Sequence, residues 1–326
     1  MVSVVKFLDS GCISIFSLPL RLGVMVGFSI MKVLFILVLA LSFCASAFAQ
    51  SDFQEMLDAA RAFDQAAADK GTKPAYLEFL ADDSTIFRPG AVNGKEFWNS
   101  RKDSAAERLV RNISYTDIAA NGLLGYTTGS WQLYPNGQKN PATKFGQYVT
   151  VWEKRGDKFR ATLDIVITHD QMPISDTKAI LPTNGIKDMN ERGWSPADAS
   201  MNFLRASMTN EELSGAYKKF AADDVRLLRD REPPIIGKKR VVEETRHYKS
   251  VSFPRKVALF QSADMAYTWN PCKFENSNEG TEEGNCLHIW KLRDKKWWIV
   301  LGVFAPIANE MKPQLKTKYK GKDTKQ

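Results

Sequence analysis

The stretch FLADD at Phe79–Asp83 decides the architecture, because it recurs 141 residues later as FAADD at Phe220–Asp224. A short apolar run and an arginine follow each copy of the stretch, Arg88 in the first copy and Arg229 in the second. Further matches keep the same order: Asn93-Gly94-Lys95 with Ile236-Gly237-Lys238, Gly125-Tyr126-Thr127 with Ala266-Tyr267-Thr268, and Trp152 with Trp290. Matches at a nearly constant offset indicate that one structural unit has been duplicated.

Each copy begins with helical patterns and ends with alternating, strand-like ones. Ser51 or Asp52 can cap a first helix whose apolar side chains have the spacing of one buried stripe, namely Phe53, Met56, Leu57, Ala60 and Phe63. In the second copy, Ser195-Pro196 followed by Asp198 is typical of a helix start, and we interpret the Asp-Asp pairs as turn formers. The sequence therefore predicts an α+β fold of two tandem domains, each with helices packed on a strongly curved antiparallel sheet.

These patterns also predict the boundaries of the domains. The first domain is expected over residues 50–169 and the second over 195–310. The connecting segment 170–194 is rich in Pro, Asp, Asn and Gly, as linkers are. Residues 311–326 contain six lysines and one aspartate, and we expect a disordered basic tail.

The N-terminus carries the features of an export signal. Met31-Lys32 precedes the apolar run Val33–Leu41, and Ala47-Phe48-Ala49 offers small residues where a signal peptidase cleaves, before Gln50. We therefore interpret residues 1–49 as an upstream extension followed by a cleaved signal peptide, which predicts a periplasmic or secreted protein with no transmembrane segment after cleavage. An uncleaved membrane anchor is the alternative.

The charge of the chain gives no support to nucleic-acid binding. The formal net charge is +8, but the basic tail and the predicted leader account for most of it, and residues 50–310 are close to neutral. A nucleic-acid-binding face would concentrate its basic residues on the folded body. Neutrality there argues against a nucleic-acid partner.

Two cysteines remain in the predicted mature chain, Cys272 and Cys286. They end two strand-like runs around a polar loop, which predicts a disulfide across a hairpin, as suits an oxidising compartment. A metal site completed by His288 is the alternative, but further ligands are missing nearby. The three histidines show no metal-ligand spacing, and there is no phosphate-binding loop or nucleophile motif. We therefore predict neither a metal nor a cofactor.

The chain resembles the nuclear transport factor 2-like superfamily, also called SnoaL-like or ketosteroid-isomerase-like. The resemblance rests on Phe79–Asp83, Pro89-Gly90, Asn93-Gly94-Lys95, the GYTTG element at Gly125–Gly129, and YVTVW at Tyr148–Trp152 leading to Asp164. It implies a cone-shaped domain with one deep pocket. It implies no particular reaction, because the superfamily includes isomerases, cyclases, dehydratases and binding modules.

Asp164 is the candidate catalytic residue of the first copy, since the ketosteroid isomerases that the sequence resembles use a carboxylate base in an apolar pocket. Strict alternation argues against this role. It places Phe159, Ala161, Leu163, Ile165 and Ile167 on one face, and Asp164 on the opposite, outer face. Candidate ligand-binding residues of this copy are Tyr76, Arg88, Tyr126, Tyr148 and Trp152.

The second copy has Gly302 where the first has Asp164, and its candidate ligand-binding residues are Tyr217, Arg229, His288 and Trp290. Its last strand is apolar on both faces, because Trp298, Val300 and Phe304 lie opposite Trp297, Ile299, Leu301 and Val303. Such a strand is buried on both sides. We expect the sheet of the first copy to cover it in an internal pseudo-dimer; a homodimer is the alternative.

Two functions of different classes follow from the sequence. The favoured one is an exported binding or interaction protein that holds a small apolar or mixed-polarity ligand in a cone-shaped pocket. The alternative is an isomerase, cyclase or dehydratase that performs acid–base chemistry in the first pocket.

Overall fold

The computed structural model describes residues 52–104, 106–171, 194–209, 212–252, 254, 257–277 and 280–307, all within one compact unit. The predicted leader and tail, and nearly all of the predicted linker, lie outside these residues. We refer to 52–171 as the N-terminal half and to 194–307 as the C-terminal half. Among the described helices, none has both the length and the apolar character needed to cross a bilayer.

The N-terminal half packs three helices against a six-stranded sheet of order β2-β1-β6-β5-β4-β3. The sheet is mixed, because β1 pairs in parallel with β6 while the other neighbours are antiparallel. Its elements are α1 (52–69), α2 (Thr72–Phe79), β1 (Leu80–Phe87), β2 (Ala91–Asn93), α3 (Gly94–Ser100), β3 (Arg108–Ile118), β4 (Leu124–Tyr134), β5 (Lys144–Arg155) and β6 (Lys158–His169).

The C-terminal half repeats this plan with a sheet of order β10-β11-β12-β13-β7-β8, in which β9 also pairs with β11. Here β7 and β13 form the parallel pair. The elements are α4 (Pro196–Ser207), α5 (Glu212–Phe220), β7 (Ala221–Arg229), β8 (Ile235–Ile236), α6 (Lys238–Glu244), β9 (Tyr248–Ser250), β10 (Ala258–Ser262), β11 (Met265–Asn276), β12 (Gly280–Arg293) and β13 (Lys296–Pro306).

The two halves share local structure as well as order. The predicted apolar stripe of α1 is buried, and the predicted Ser195 is the N-cap of α4, where it forms a capping box with Asp198. Trp152 donates its indole N–H to Thr127 Oγ1 at 3.0 Å, and Trp290 donates to Thr268 Oγ1 at 2.9 Å. The same bond at the same place in both sheets is what a duplicated fold requires.

The Asp-Asp pairs do not form turns, contrary to our interpretation. Asp82 and Asp83 lie inside β1, and Asp223 and Asp224 lie inside β7. Each pair is exposed at a place where the parallel pairing shifts register. Asp82, Asp83 and Asp224 form ion pairs at the surface, for example Asp82 with Lys95 at 2.6 Å. Strand pairing with a distant segment therefore overrides the local turn preference.

Three apolar clusters form the core. One lies under the helices of each half, and the third combines residues of both sheets, including Tyr126, Val149, Leu163, Ile165, Leu287, Ile289, Leu301 and Val303. Polar groups also join the halves. Lys291 Nζ lies 3.3 Å from Asp117 Oδ1 and 3.1 Å from Asp264 Oδ2, and Asp264 accepts a hydrogen bond from the Ala120 N–H at 2.7 Å.

The predicted disulfide is confirmed. Cys272 and Cys286 are bonded, with their Cα atoms 5.9 Å apart on the neighbouring strands β11 and β12. The pairing also removes the basis for the metal alternative, because disulfide-bonded cysteines offer no thiolate ligands.

Candidate functional site

A β-bulge in β6 decides where Asp164 points. Val151 on β5 pairs with Leu163, but the next residue Trp152 pairs with Ala161, so Thr162 is an extra residue. An extra residue in one strand reverses the faces beyond it. Phe159 and Ala161 therefore face the helices, whereas Leu163, Ile165 and Ile167 face the other sheet.

The position that strict alternation gives Asp164 is therefore wrong. Asp164 lies on the inner face of the sheet, 0% exposed. Tyr76 donates its hydroxyl hydrogen to Asp164 Oδ2 at 2.9 Å, and Thr150 donates to Oδ1 at 2.6 Å. Both carboxylate oxygens are thus occupied by side chains of the protein.

Arg111 is the cation of this inner face. Its Nη1 lies 3.5 Å from Asp164 Oδ1, its Nη2 donates to Thr150 Oγ1 at 2.8 Å, and its Nε lies 3.0 Å from Asp64 Oδ1. The guanidinium carbon also lies 3.6 Å from the ring centre of Tyr148. One buried arginine therefore links two carboxylates and an aromatic ring.

Burial sets the protonation of this network. Removal from water raises the pKa of Asp64 to about 6; Arg111 opposes the rise, and the charge of Asp164 adds to it. Burial also raises the pKa of Tyr76, with the Asp164 charge contributing. Tyr76 accordingly keeps its proton and serves as a hydrogen-bond donor at neutral pH.

A cavity of about 360 Å³ opens beside this network. Small-ligand sites in proteins usually range from about 300 to 1,000 Å³. The lining includes aromatic and aliphatic side chains, four cations and one acid: Tyr76, Trp98, Trp131, Tyr148, Leu109, Leu133, Val166, Thr72, Thr168, Arg88, Arg101, Arg111, Lys144 and Glu107. Asp164 lies behind Tyr76 and Arg111 and is not one of the lining residues.

Two residues that line the cavity have a buried polar atom without a partner. Within the described residues, Thr72 Oγ1 and Trp98 Nε1 form no hydrogen bond. Leaving a buried polar group unpaired costs about 1–3 kcal/mol. Their presence in one cavity indicates a place where a bound molecule can supply the missing partners.

The corresponding cavity of the C-terminal half is almost filled, with a volume of about 20 Å³. The strand registers put His288 in the place of Thr150 and Gly302 in that of Asp164. A Cβ atom on Gly302 would lie 2.7 Å from the Tyr217 hydroxyl oxygen. Tyr217 thus occupies the space that the Asp164 carboxylate takes in the N-terminal half, and its hydroxyl lies 3.3 Å from His288 Nε2.

Other replacements fill the rest of the second cone. By register, Phe304 stands where Val166 does, and the Cys272–Cys286 disulfide replaces the cavity-lining Trp131 and Tyr148. A bulge at Val300 reverses the predicted faces of the strand beyond it. Phe304 faces the helices, against Phe274, whereas Leu301 and Val303 belong to the apolar cluster shared by both sheets.

The structure divides the predicted ligand-binding residues into two groups. Tyr76, Arg88 and Tyr148 line the N-terminal cavity, and Tyr217, Arg229 and His288 line the small C-terminal one. The other three line neither cavity: Tyr126 faces the opposite sheet, and Trp152 and Trp290 are packed in the cores. Trp152 and Trp290 line neither cavity because their indoles pack under helices and donate to strand threonines.

Asp64 and Arg111 are not among the residues predicted from the sequence, although both carry a signal. Asp64 lies on the buried stripe of α1, seven residues after Leu57, and Arg111 lies between Leu109 and Ile113 on one face of β3. A charged residue in an apolar stripe is rare without a partner. Trp98, Arg101, Trp131 and Lys144 carry no comparable signal.

Comparison with known proteins gives matches among solved structures alone. No protein-family model and no curated protein matches the chain. A nuclear transport factor 2-like protein from Cytophaga hutchinsonii is 14% identical, with a TM-score of 0.30, over 35% of this chain and 100% of that one. A similar protein of unknown function from Shewanella oneidensis is 18% identical, with a TM-score of 0.29, over 35% and 96%.

A ketosteroid isomerase-like protein from Erwinia carotovora atroseptica is 16% identical, with a TM-score of 0.29, over 34% of this chain and 92% of that one. Each match therefore spans about a third of the present chain. The solved structures that the chain resembles are nuclear transport factor 2-like and ketosteroid isomerase-like proteins.

Proposed function

We propose that the chain is an exported binding protein that holds one small, mixed-polarity ligand in the N-terminal cavity. The observation that carries the proposal is the pair of cavities, about 360 Å³ in one half and about 20 Å³ in the other. The open cavity combines aromatic walls with two unpaired buried polar atoms, which is the composition of a ligand site. The filled half serves as a support.

The acid–base enzyme receives less support from the site. Its base would be Asp164, whose side chain is 0% exposed. Oδ2 of that carboxylate accepts a hydrogen bond from Tyr76, and Oδ1 accepts one from Thr150 and lies 3.5 Å from Arg111 Nη1. A general base needs contact with the proton it removes. We therefore assign Asp164 to positioning Tyr76 and Arg111 at the wall of the cavity.

Export and the internal pseudo-dimer belong to the same proposal. The disulfide supports an oxidising compartment, and the apolar cluster shared by the two sheets supports the pseudo-dimer. Light scattering on the purified chain is expected to give a monomer. A dimer would contradict the internal pseudo-dimer. N-terminal sequencing of protein from its natural source is expected to begin at Gln50, and a chain that begins at Met1 would contradict cleavage.

Native mass spectrometry of the protein purified from its natural source tests the binding function. We expect one bound small molecule per chain. Val166→Phe fills the cavity and is expected to abolish the adduct, whereas Val92→Phe makes the same change at an exposed position of β2 and is expected to retain it. A wild-type chain free of ligand, or an adduct that survives Val166→Phe, contradicts the proposal.

A further inference from the structure

The cavity of the N-terminal half has more positive charge than the protein itself neutralises. Four lining residues are cationic and only Glu107 is acidic. Arg111 is paired with Asp64 and Asp164. No described carboxylate lies within ion-pair distance of the other three cations, Arg88, Arg101 and Lys144.

The C-terminal half provides an internal control for this observation. Arg229, which the repeat places at the position of Arg88, lies 3.6 Å from Glu232, 3.9 Å from Glu282 and 3.8 Å from the ring centre of Tyr248. Arg88 instead donates at 2.7 Å to the carbonyl oxygen of its neighbour Phe87. The same arginine is therefore neutralised in the filled half and left without a counter-charge in the open half.

The walls indicate what the rest of the ligand is. Trp98, Trp131 and Tyr148 present aromatic surface to the cavity. Arg101 lies with its guanidinium carbon 5.5 Å from the ring centre of Trp98 and 5.6 Å from that of Phe97. Guanidinium groups bind carboxylate and phosphate oxygens through paired N–H donors, while aromatic walls bind apolar or aromatic bodies.

We infer that the N-terminal cavity binds an oxyanion joined to an aromatic or apolar body, with the anionic group bound by Arg88, Arg101 and Lys144. This inference rests on the proposed binding function and specifies its ligand class. The unpaired Trp98 indole N–H is a further donor for the ligand, and the Tyr148 hydroxyl can donate or accept.

Isothermal titration of the full chain with three probes tests the inference. The probes are 2-naphthoate, 2-naphthyl phosphate and the neutral 2-naphthylmethanol, which share one aromatic body and differ in the head group. We expect at least one of the two anions to bind about tenfold or more tightly than the alcohol, the factor that one charge-assisted hydrogen bond provides. Which anion binds best distinguishes a carboxylate from a phosphate ligand.

Charge variants identify the residues involved. Arg88→Gln and Arg101→Gln are each expected to weaken the binding of the anion about tenfold and to leave the affinity for the alcohol unchanged. Lys102→Gln removes the same charge one residue from Arg101 but outside the cavity lining, and it is expected to have little effect. Increasing the salt concentration should weaken the binding of the two anions and leave the binding of the alcohol unchanged.

The outcomes separate this inference from the proposed function. If the alcohol binds as tightly as both anions, the oxyanion site is wrong and the binding cavity stands. If Lys102→Gln weakens the anions as much as Arg101→Gln does, the attraction is general and the assigned residues are wrong. If none of the three probes binds, the inferred ligand class is wrong, and the adduct seen by native mass spectrometry decides the function separately.

Discussion

The two halves of this chain show how one duplicated fold is kept open in one copy and filled in the other. At one inner position the N-terminal half has Asp164 with Tyr76 and Arg111, whereas the C-terminal half has Gly302 beneath Tyr217. The first arrangement needs a buried cation and leaves space beside it. The second needs none and leaves almost no space, so that an open cavity and a packed interior derive from the same topology.

Removing the buried cation Arg111 of the N-terminal half should have the largest effect on stability. Arg111→Met leaves Asp64 and Asp164 buried without a counter-charge, and such a loss costs about 3–5 kcal/mol. We expect the free energy of unfolding in urea at pH 7 to fall by that amount. The control Arg61→Met removes an arginine that is 58% exposed and paired with Asp58, itself 61% exposed, and should cost at most about 1 kcal/mol. Equal costs would mean that Arg111 does not compensate these carboxylates.

Exchanging the equivalent residues Val166 and Phe304 should have a smaller, unequal effect. Phe304→Val opens a void in a packed core and should cost about 2 kcal/mol or more. Val166→Phe places its ring in an existing cavity and should change the free energy of unfolding by less than about 1 kcal/mol. Urea unfolding of both variants measures the difference. A larger loss from Val166→Phe would show that the N-terminal half is the more tightly packed one.

Removing the hydroxyl group should cost more stability at Tyr76 than at Tyr217. Tyr76 donates to a buried carboxylate, and hydrogen bonds of this kind contribute about 1.5–3 kcal/mol. The Tyr217 hydroxyl lies 3.3 Å from a histidine whose pKa burial lowers to about 4, and a neutral bond contributes about 0.5–1.5 kcal/mol. Urea unfolding should therefore show a larger cost for Tyr76→Phe than for Tyr217→Phe. The reverse order would contradict the charge assignment of the two sites.

The smallest expected effects are pH dependences of opposite sign. Burial raises the pKa of Asp64 from 3.8 to about 6, so the folded state binds more protons than the unfolded state between pH 4 and 6. The contribution of Asp64 to the free energy of unfolding therefore falls as the pH rises through this range. Burial lowers the pKa of His288 from 6.5 to about 4, so the unfolded state binds more protons than the folded state between pH 4 and 6.5. The contribution of His288 to the free energy of unfolding therefore rises as the pH rises through this range.

Variants separate these two slopes. Relative to the wild-type chain, Asp64→Asn should make the free energy of unfolding rise more steeply between pH 4.5 and 6, and His288→Gln should make it rise less. Each change is at most about 1.4 kcal/mol per pH unit. Urea titrations at several pH values measure it, and slopes that shift in the same direction in both variants would contradict the assignment.

The sequence predicted the elements of the fold well because they depend on local patterns and on the repeat. The stripe of α1, the start of α4 and the disulfide all agree with the structure. The orientation of Asp164 could not be predicted from alternation, because the bulge at Thr162 follows from pairing with a distant strand. That single extra residue moves Asp164 from the outer face to the wall behind the cavity.

The candidate site was predictable only in part. Tyr76, Arg88 and Tyr148 could be identified because they are polar residues on apolar elements, and all three line the cavity. Lys144 and Arg101 could not, since an exposed cation near a turn looks the same whether it faces a cavity or open solvent. Their relevance depends on which strands and helices the fold brings together.

We propose that one half of the chain holds a ligand and the other does not. Anomalous diffraction from crystals soaked with 6-bromo-2-naphthoate tests it most directly, because bromine locates the probe in each half separately. We expect one bromine site per chain, within the N-terminal cavity beside Trp98, Trp131 and Tyr148, and none in Val166→Phe crystals. A bromine site in the C-terminal cone, or an empty N-terminal cavity at saturating probe, would contradict it.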